Sequence, residues 1–290
     1  MFYEVKVPEG KPGEKQISAL VVLNPSESRR LLAKATVALP EVQNAWKRGM
    51  IIIGRGITNA YVTEEFFKIS VEPKGGQTAG IVCNGFLNST AAPPPSTWHV
   101  IRDGKVVEGA DSNVEIEKFG PDDVFIKGAN AIDMQGNAGV YASNLKGGTI
   151  GMCWPIVTAR ASHLIQPVGL EKLIPCVLEA SMHTGIFRFK YSMGQPGRLF
   201  PVTSSQVVTE IQAFALLAGV RAYHLGSGGV GGSEGAVILA LEGDEERVKK
   251  AFELAKSVKG EPPVTLPKKL KLTSPADFQY DAIAQHTASR

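Results

Sequence analysis

Apolar and polar positions along the chain follow two periods, and each change of period marks a boundary between a strand and a helix. Residues 16–23 (QISALVVL) form an apolar run that predicts a strand. Asn24, Pro25 and Glu27 then provide a helix cap, a proline in the first turn and an acidic third position, so a helix is predicted from this point. Residues 50–53 are all apolar, which is typical of a strand covered on both faces of a parallel sheet.

Strands and helices continue to alternate through the middle of the chain. A helix is predicted after the glycines at positions 54 and 56, and another opens near Pro155. Further strands are predicted at residues 80–83, 97–102, 105–107, 124–127 and 164–168. This order predicts an α/β fold with a mainly parallel sheet and flanking helices.

The pattern changes beyond residue 175. The elements predicted there are a strand at 186–191, a helix at 207–217, strands at 220–225 and 236–241, and a closing helix after Asp244. Such an order is typical of a ferredoxin-like α+β module. The chain is therefore divided into an α/β domain at 1–175, this module at 176–260 and an extended tail at 261–290.

The composition is that of an ordinary globular protein, with 43% hydrophobic and 20% charged residues among 290. No apolar run approaches the roughly 18 residues that cross a membrane. The N-terminus has no apolar segment after a basic start, so no secretory signal is indicated and a cytoplasmic location is expected. A net charge of +3 falls short of a nucleic-acid-binding footprint, but it suits an anionic small ligand.

Two further features of the sequence limit the possible chemistry. Cys83, Cys153 and Cys176 are far apart and odd in number, so neither a disulfide framework nor a metal site is predicted. The glycine-rich stretch 225–235 contains GxGxxG, but a strand follows it, so the dinucleotide fingerprint is not met. A mobile hairpin loop, an anion-binding loop and a flap over another site remain as interpretations. The basic run 268–271 is interpreted as part of a solvated tail.

The first candidate for ligand binding is the segment GRGITN, which contains Gly54, Gly56, Thr58 and Asn59. It joins a buried strand to a helix. Glycines at such a junction let backbone N–H groups converge on an anion, and the helix dipole and the Thr58 hydroxyl add to the attraction. A tight turn without a ligand is the alternative interpretation.

The second candidate is the segment 123–151, DVFIKGANAIDMQGNAGVYASNLKGGTIG. With the helix and the LIQPV strand that follow it, this segment resembles the centre of type A ribose-5-phosphate isomerase, where a GADEID-like strand end precedes a glycine loop. It is also similar to initiation factor 2B subunits, in which a GAD segment precedes an NKxGT loop. The resemblance covers about residues 45–175, and it implies the superfold that these proteins share with CoA transferases (NagB/RpiA/CoA transferase-like).

On this resemblance, GRGIT corresponds to an early anion-binding turn of the family, and the later segment adds further ligand contacts. The residues so implied are Lys127, Asn130, Asp133, Asn144, Lys146, Gly147, Gly148 and Thr149. Lys146 is expected to hold the anionic part of the ligand. Lys127 is either a ligand contact or a surface lysine, and Asp133 either accepts a ligand hydroxyl or caps its own turn.

The sequence departs from the isomerase where proton transfer would occur. Asn130 and Ala131 replace the acidic pair of the family, and Met152 to Trp154 stand where a carboxylate is expected. Asp133 is the one acidic candidate left in that cluster. Because enediol chemistry needs a carboxylate beside the transferred proton, isomerisation of ribose 5-phosphate is disfavoured.

The sequence therefore predicts a protein that binds an anionic small metabolite, such as a sugar phosphate, a CoA ester or a folate-like compound. Isomerisation or group transfer is the reaction class that the resemblance implies, and whether any reaction occurs stays open. No cofactor is evident, although the resemblance to CoA transferases would supply CoA. A non-catalytic ligand-binding or regulatory protein is the alternative, as is an assembly protein that forms homo-oligomers through a microcompartment-like C-terminal module.

Overall fold

The computed structural model describes residues 1–10, 15–89 and 99–267, so the parts of the predictions that fall on residues 97, 98 and 268–290 lie outside the described residues. Its strands are β1 (Ile17–Leu23), β2 (Met50–Ile53), β3 (Gly80–Cys83), β4 (Phe86–Ser89), β5 (His99–Arg102), β6 (Lys105–Val106), β7 (Val124–Ile126), β8 (Ala131–Ile132), β9 (Ala138–Ala142), β10 (His163–Pro167), β11 (Arg198–Val202), β12 (Gln206–Val208), β13 (Arg221–Gly228) and β14 (Ala236–Gly243). Its α-helices are α1 (Pro25–Ala38), α2 (Pro40–Arg48), α3 (Ile57–Phe67), α4 (Ser112–Glu115), α5 (Gly148–Ala159), α6 (Val177–Met182), α7 (Glu210–Ala218) and α8 (Glu245–Ser257).

The largest sheet has six strands in the order β12-β10-β7-β2-β5-β6. The first four are parallel to one another, and β5 and β6 form an antiparallel hairpin at one edge. The expectation of an α/β fold with a mainly parallel sheet is confirmed. Within the described ranges, no helix is both long and apolar enough to cross a membrane.

Both faces of the central strands are buried, as the unbroken apolar run at 50–53 predicts. Successive residues of a strand point to opposite faces. On one face, Ile51 and Ile126 pack with helices α1, α2, α3 and α7. On the other face, Ile52, Phe125 and Leu164 pack with α5 and with the antiparallel sheet β11-β9-β8.

The smaller sheet β1-β14-β13 is built from both ends of the chain. Strand β1 is antiparallel to β14 along its full length, from Ile17 opposite Gly243 to Leu23 opposite Val237. The predicted strand at 186–191 is wrong, because these residues form turns and bends. The place beside β14 is taken instead by β1, so this sheet contains strands from both sides of residue 175.

Two predicted helix starts are also wrong. The helix expected near Pro155 begins at Gly148, and Pro155 lies inside it. A proline removes one hydrogen bond of the helix, but Ile150, Cys153 and Val157 are buried and hold both halves of α5 in place. The helix expected at 207–217 begins at Glu210, because the preceding residues pair with β10 as strand β12.

A buried carboxylate joins α1 to the end of α8. The Glu27 side chain is 3% exposed and accepts hydrogen bonds from the Lys259 amino group (2.7 Å), the Gly260 N–H (3.0 Å) and the Asn24 N–H (2.8 Å). Burial disfavours ionisation of Glu27, but these donors outweigh that effect and lower its pKa. The small sheet with its helix is thereby tied to the first helix of the main sheet.

We expect Glu27→Gln to lower the free energy of unfolding at pH 7 by about 2 kcal/mol, because the amide cannot accept all of these charged and backbone hydrogen bonds. A carboxyl whose pKa is lowered on folding stabilises the protein above its ordinary pKa of 4.5, and this stabilisation is lost as the pH falls through the lowered value. The difference between the two proteins should therefore shrink below pH 4.5 in urea unfolding. Glu253→Gln, which breaks an exposed ion pair with Lys256, is the control and should change stability by less than about 0.5 kcal/mol.

Candidate functional site

The carboxyl ends of the four parallel strands meet at one edge of the sheet, where ligands of open α/β sheets usually bind. The β-ladder continues one step past the ends of β2 and β7, because the Gly54 N–H donates to the Ile126 carbonyl (2.9 Å) and the Lys127 N–H donates to the Ile165 carbonyl (3.0 Å). Gly54, Lys127 and Gln166 thus occupy one row across three neighbouring strands.

The residues of this row face α5. Phe125 and Leu164 point to the α5 face of the sheet, and side chains two residues further along a strand return to the same face. Lys127 and Gln166 therefore point to that face as well. Cys153 of α5 lies within electrostatic range of the Lys127 amino group, which agrees with this direction.

Lys127 is held between glycines. A side-chain carbon on Gly54 would lie 3.0 Å from its Cδ atom, so its alkyl chain crosses a position that only glycine leaves free. Its Nζ donates to the Gly128 carbonyl at 3.2 Å and has no carboxylate within 4.0 Å among the residues that the structure describes. Protein atoms surround the amino group, although the residue as a whole keeps some solvent exposure. Burial, reinforced by the charge of Lys172, lowers the pKa of Lys127 to about 8.

Lys172 is a second buried amine at the same edge. It ends a short 3₁₀ helix after β10, and its Nζ donates to the Ala129 carbonyl at 2.9 Å. Burial lowers the pKa of Lys172; the charges of Glu171 and Glu210 oppose this shift, and that of Arg29 adds to it. Neither carboxylate forms an ion pair with Lys172 within the described ranges.

Gln166 is fully buried and carries unpaired polar atoms. Its exposed fraction is 0%, and neither its side-chain oxygen nor its side-chain nitrogen has a hydrogen-bond partner in the described part of the chain. An unsatisfied buried polar group costs about 1–3 kcal/mol of stability, so such groups usually have a functional reason. Gln166 is the neighbour of Lys127 in the row.

The GRGITN segment, residues 54–59, lies at the same edge of the sheet. The Asn59 amide donates to the carbonyls of Gly54 (2.6 Å) and Ile126 (3.3 Å), and its Oδ1 is buried without a described partner. Gly128 lies between Asn59 and Thr58 on one side and β10 on the other, since an added side-chain carbon would be within 4 Å of all three. The predicted residues Gly54, Thr58, Asn59 and Lys127 are therefore brought together. Gly56 precedes α3, and its N–H is taken by the Gln77 carbonyl (2.8 Å).

A buried carboxyl group, Glu210, lies at the same edge and was not predicted from the sequence. It is 0% exposed, its Oε2 accepts from the Leu170 N–H (3.0 Å), and its Oε1 has no partner among the described residues. Oε1 lies against Gly169, where an added side-chain carbon would be 3.2 Å away. Burial raises the pKa of Glu210 even though the Ser28 hydroxyl and backbone N–H groups oppose the shift. The sequence signal for such a residue is an acid in the first turn of a helix that follows a strand. Because the helix was predicted to begin at residue 207, Glu210 was not recognised as a first-turn residue.

We call Asn59, Lys127, Gln166, Lys172 and Glu210 the carboxyl-edge cluster. It combines buried amines that lack a carboxylate partner, a buried carboxyl group of raised pKa, and unpaired amide atoms. Such a set can hold an anionic group and can exchange protons with it. Among the described residues, no group of His, Cys, Asp and Glu side chains could hold a metal ion.

No family model, curated protein or solved structure matches the chain.

The loop before α5 contributes differently from what the sequence suggested. Asn144 and Lys146 are exposed, and the Asn144 Oδ1 accepts from the Lys146 N–H (2.8 Å) within the loop. The Lys146 side chain makes no hydrogen bond or ion pair with the described residues. Gly147 is buried with a φ of 78°, and a side chain there would meet the Phe200 ring at 2.9 Å. Gly148 and Thr149 lie in the first turn of α5, and this helix places Cys153 near Lys127.

Asn130 and Asp133 lie in the hairpin β8–β9, where their side chains accept hydrogen bonds from backbone N–H groups. The Asn130 Oδ1 accepts from the Tyr141 N–H (2.9 Å). The Asp133 carboxylate is 0% exposed and accepts from the N–H groups of Gln135, Asn137 and Val177 and from the Asn137 amide, each at 3.0 Å. Burial alone would raise its pKa, but these donors lower it. Of the two interpretations of Asp133, this geometry favours the turn cap.

Lys127→Met tests the cost of burying this amine. An ordinary lysine has a pKa of 10.5, so between pH 10.5 and about 8 the unfolded chain takes up a proton that the native state does not. The protein loses stability over that range as the pH falls, and the loss is complete below about pH 8. We expect Lys127→Met to be more stable than the wild type at pH 7, by on the order of 2 kcal/mol, and no more stable above pH 10.5.

Urea unfolding from pH 7 to pH 10.5 measures this difference. Lys249→Met, at an exposed position of α8, is the control and should change stability by less than about 0.5 kcal/mol. A constant difference between Lys127→Met and the wild type across the range would contradict the burial of the charge.

Proposed function

We propose that this protein binds a small anionic metabolite at the carboxyl-edge cluster. The ligand classes that we propose are sugar phosphates, CoA esters and folate-like compounds. The observation that carries the proposal is the pair Lys127 and Lys172, which lie at the same edge of the sheet and have no carboxylate within ion-pair distance among the described residues, while the charge of Lys172 acts on Lys127. An anion placed between them would relieve both the repulsion and the loss of hydration.

Other buried cations of the protein show the contrast. Lys74 is 4% exposed, and its amino group contacts both Glu64 and Glu72. Arg30 binds Glu64 at 2.5 Å and Glu261 at 2.9 Å, and these carboxylates outweigh burial and raise its pKa. Arg30 and Lys74 thus have carboxylate partners within the protein, and we infer that a ligand supplies the negative charge at Lys127 and Lys172.

The superfold shared with the isomerase and the CoA transferases remains part of the proposal. It is supported by the parallel order of the strands and by the strand, glycine loop and helix at β2 and α3. The ferredoxin-like module is supported by β13, β14 and the helices α7 and α8, with β1 as the third strand of its sheet. Cytoplasmic location and CoA as a cofactor are expectations that rest on the sequence alone.

Glu210 favours an enzyme over a purely regulatory protein. A reaction that moves a proton needs a general acid or base at the site, and a carboxyl group can serve as one, whereas ligand sensing needs only polar contacts. Glu210 supplies a buried carboxyl group whose raised pKa brings it closer to neutral pH. The reaction class that we propose is isomerisation or group transfer.

Binding is tested first by thermal shift with ribose 5-phosphate, CoA and folinic acid, with ribose and pantetheine as neutral counterparts. We expect an anionic compound to raise the melting temperature and its neutral counterpart to have little effect. Titration calorimetry with that compound should then show a loss of roughly tenfold to a hundredfold in affinity for Lys127→Met and for Lys172→Met, because each removes a charged hydrogen bond worth about 1.5–3 kcal/mol.

Lys249→Met is the matched control for these titrations, and Lys146→Met tests the expectation from the sequence. A loss confined to Lys146→Met would move the anion to the loop before α5. Unchanged affinity in both Lys127→Met and Lys172→Met would refute the proposed site.

Self-association is a second candidate function, because the outer face of the small sheet is apolar and exposed. Its large side chains are Leu20 (63% exposed), Val22 (43%), Tyr223 (45%), Leu225 (58%) and Ile238 (36%). Leu20, Ala240 and Tyr223 are aligned across the three strands, and Val22 is opposite Ile238, so the apolar surface is continuous. A second copy of the chain is the partner that we propose, since interfaces between identical chains are the more apolar class.

Sedimentation velocity tests this candidate. We expect the wild type to sediment as a dimer at micromolar concentration and Leu20→Lys to sediment as a monomer, since the charge would be buried without a partner. Val82→Lys, on an exposed residue of β3 outside this face, is the control and should leave the dimer intact. Equal sedimentation of the wild type and Leu20→Lys would remove the case for assembly through this sheet.

A further inference from the structure

The environment of Lys127 is more typical of a nucleophilic lysine than of one that only binds an anion. Its alkyl chain is fixed over Gly54, and its amino group has one described acceptor, the Gly128 carbonyl. A second cation, Lys172, acts on it at the same edge. Burial beside another cation is one of the arrangements that keep a lysine amine uncharged and therefore reactive toward carbonyl groups.

The neighbour of Lys127 in the row supplies the complementary group. Gln166 is fully buried, its side-chain nitrogen has no hydrogen-bond partner in the described part of the chain, and it points to the same face as Lys127. An amide N–H in that position can donate to the oxygen of a carbonyl group that the amine attacks. Lys172 can hold an anionic group of the same molecule.

We propose that Lys127 forms an imine with an aldehyde or ketone that also carries a phosphate or carboxylate group. This inference rests on the anion binding proposed above and names the substrate class for that site. The uncharged Nζ attacks the carbonyl carbon, a C–N bond forms, and a proton passes from nitrogen to the former carbonyl oxygen. The second proton on nitrogen then passes to the same oxygen, the C–O bond breaks, and water leaves as the C=N bond of the imine forms. The atoms balance without an oxidant, a reductant or a further co-reactant.

The exposure and titration of Lys127 agree with this chemistry. The residue keeps some solvent-accessible surface at the edge of the sheet, which is the side from which a small molecule would approach its amino group. Its pKa of about 8 leaves about a tenth of the amine uncharged at pH 7, far more than for an ordinary lysine with a pKa of 10.5. Thr58 and Asn59 on one side and β10 on the other limit the space around Gly128, which favours a small substrate.

Pyridoxal 5′-phosphate is the probe for the experiment, because it joins an aldehyde to a phosphate, and pyridoxal is its counterpart without the phosphate. The full chain is treated with an equimolar amount of either compound, reduced with borohydride, and analysed by intact mass and peptide mapping. We expect one major adduct, on Lys127, and about a tenfold lower yield with pyridoxal. Inorganic phosphate should compete with labelling, and the labelling rate should level off above about pH 8.

Variants separate the nucleophile from the anion contact. Lys127→Arg keeps a positive charge but has no amine that can form the imine, so it should lose the adduct and retain the anion binding measured by calorimetry. Lys172→Met should lower the yield with pyridoxal 5′-phosphate to that of pyridoxal. Lys249→Met, the exposed control, should leave the adduct unchanged.

Some outcomes would overturn the inference. Labelling spread over many lysines, or concentrated on one other than Lys127, would show that Lys127 is not the nucleophile, and if the wild type still binds an anion at this edge, the proposed function survives. Equal yields with pyridoxal and its phosphate would rule out the anionic substrate class. A Lys127→Arg protein that keeps the adduct at this edge would contradict the role of Lys127 directly.

Discussion

The site depends on the parallel β-ladder extending one residue beyond the ends of β2 and β7. Two backbone hydrogen bonds, from Gly54 to Ile126 and from Lys127 to Ile165, hold Gly54, Lys127 and Gln166 side by side. Because side chains alternate along each strand, this register turns Lys127 and Gln166 toward α5. A shift by one residue would place Ile126 and Ile165 on that face and would bring the lysine to the face packed by α1 and α7.

The distribution of charge partners separates structural contacts from functional ones. Glu27, Arg30 and Lys74 are buried and paired, and their pairs tie helices and chain ends together. Lys127 is buried without a carboxylate within ion-pair distance in the described ranges, which costs stability. Lys127 and Lys172 differ in this from Arg30 and Lys74, and unpaired groups of this kind are expected at functional sites.

Local patterns predicted much of the fold but little of the cluster. The cap at Asn24, the buried strand at 50–53 and the closing helix after Asp244 are signals within a few residues of sequence, and each appears in the structure. The strand predicted at 186–191 is absent, and the sheet that contains β13 and β14 is completed by β1 from the other end of the chain, a pairing that no local pattern predicts. Glu210 was missed for a related reason: only the pairing of β12 with β10 shows that the helix starts there.

Asp133 and Glu210 show why a motif alone did not identify the acidic group of the site. Asp133 lies in the segment that resembles an isomerase, yet its oxygens are occupied by backbone and amide donors that keep it ionised. A carboxylate held in that state is a poor proton carrier. Glu210 lies outside the resemblance, keeps one oxygen free of described partners and has a raised pKa. The physical environment therefore makes Glu210 a better candidate than Asp133 for exchanging a proton with a bound ligand.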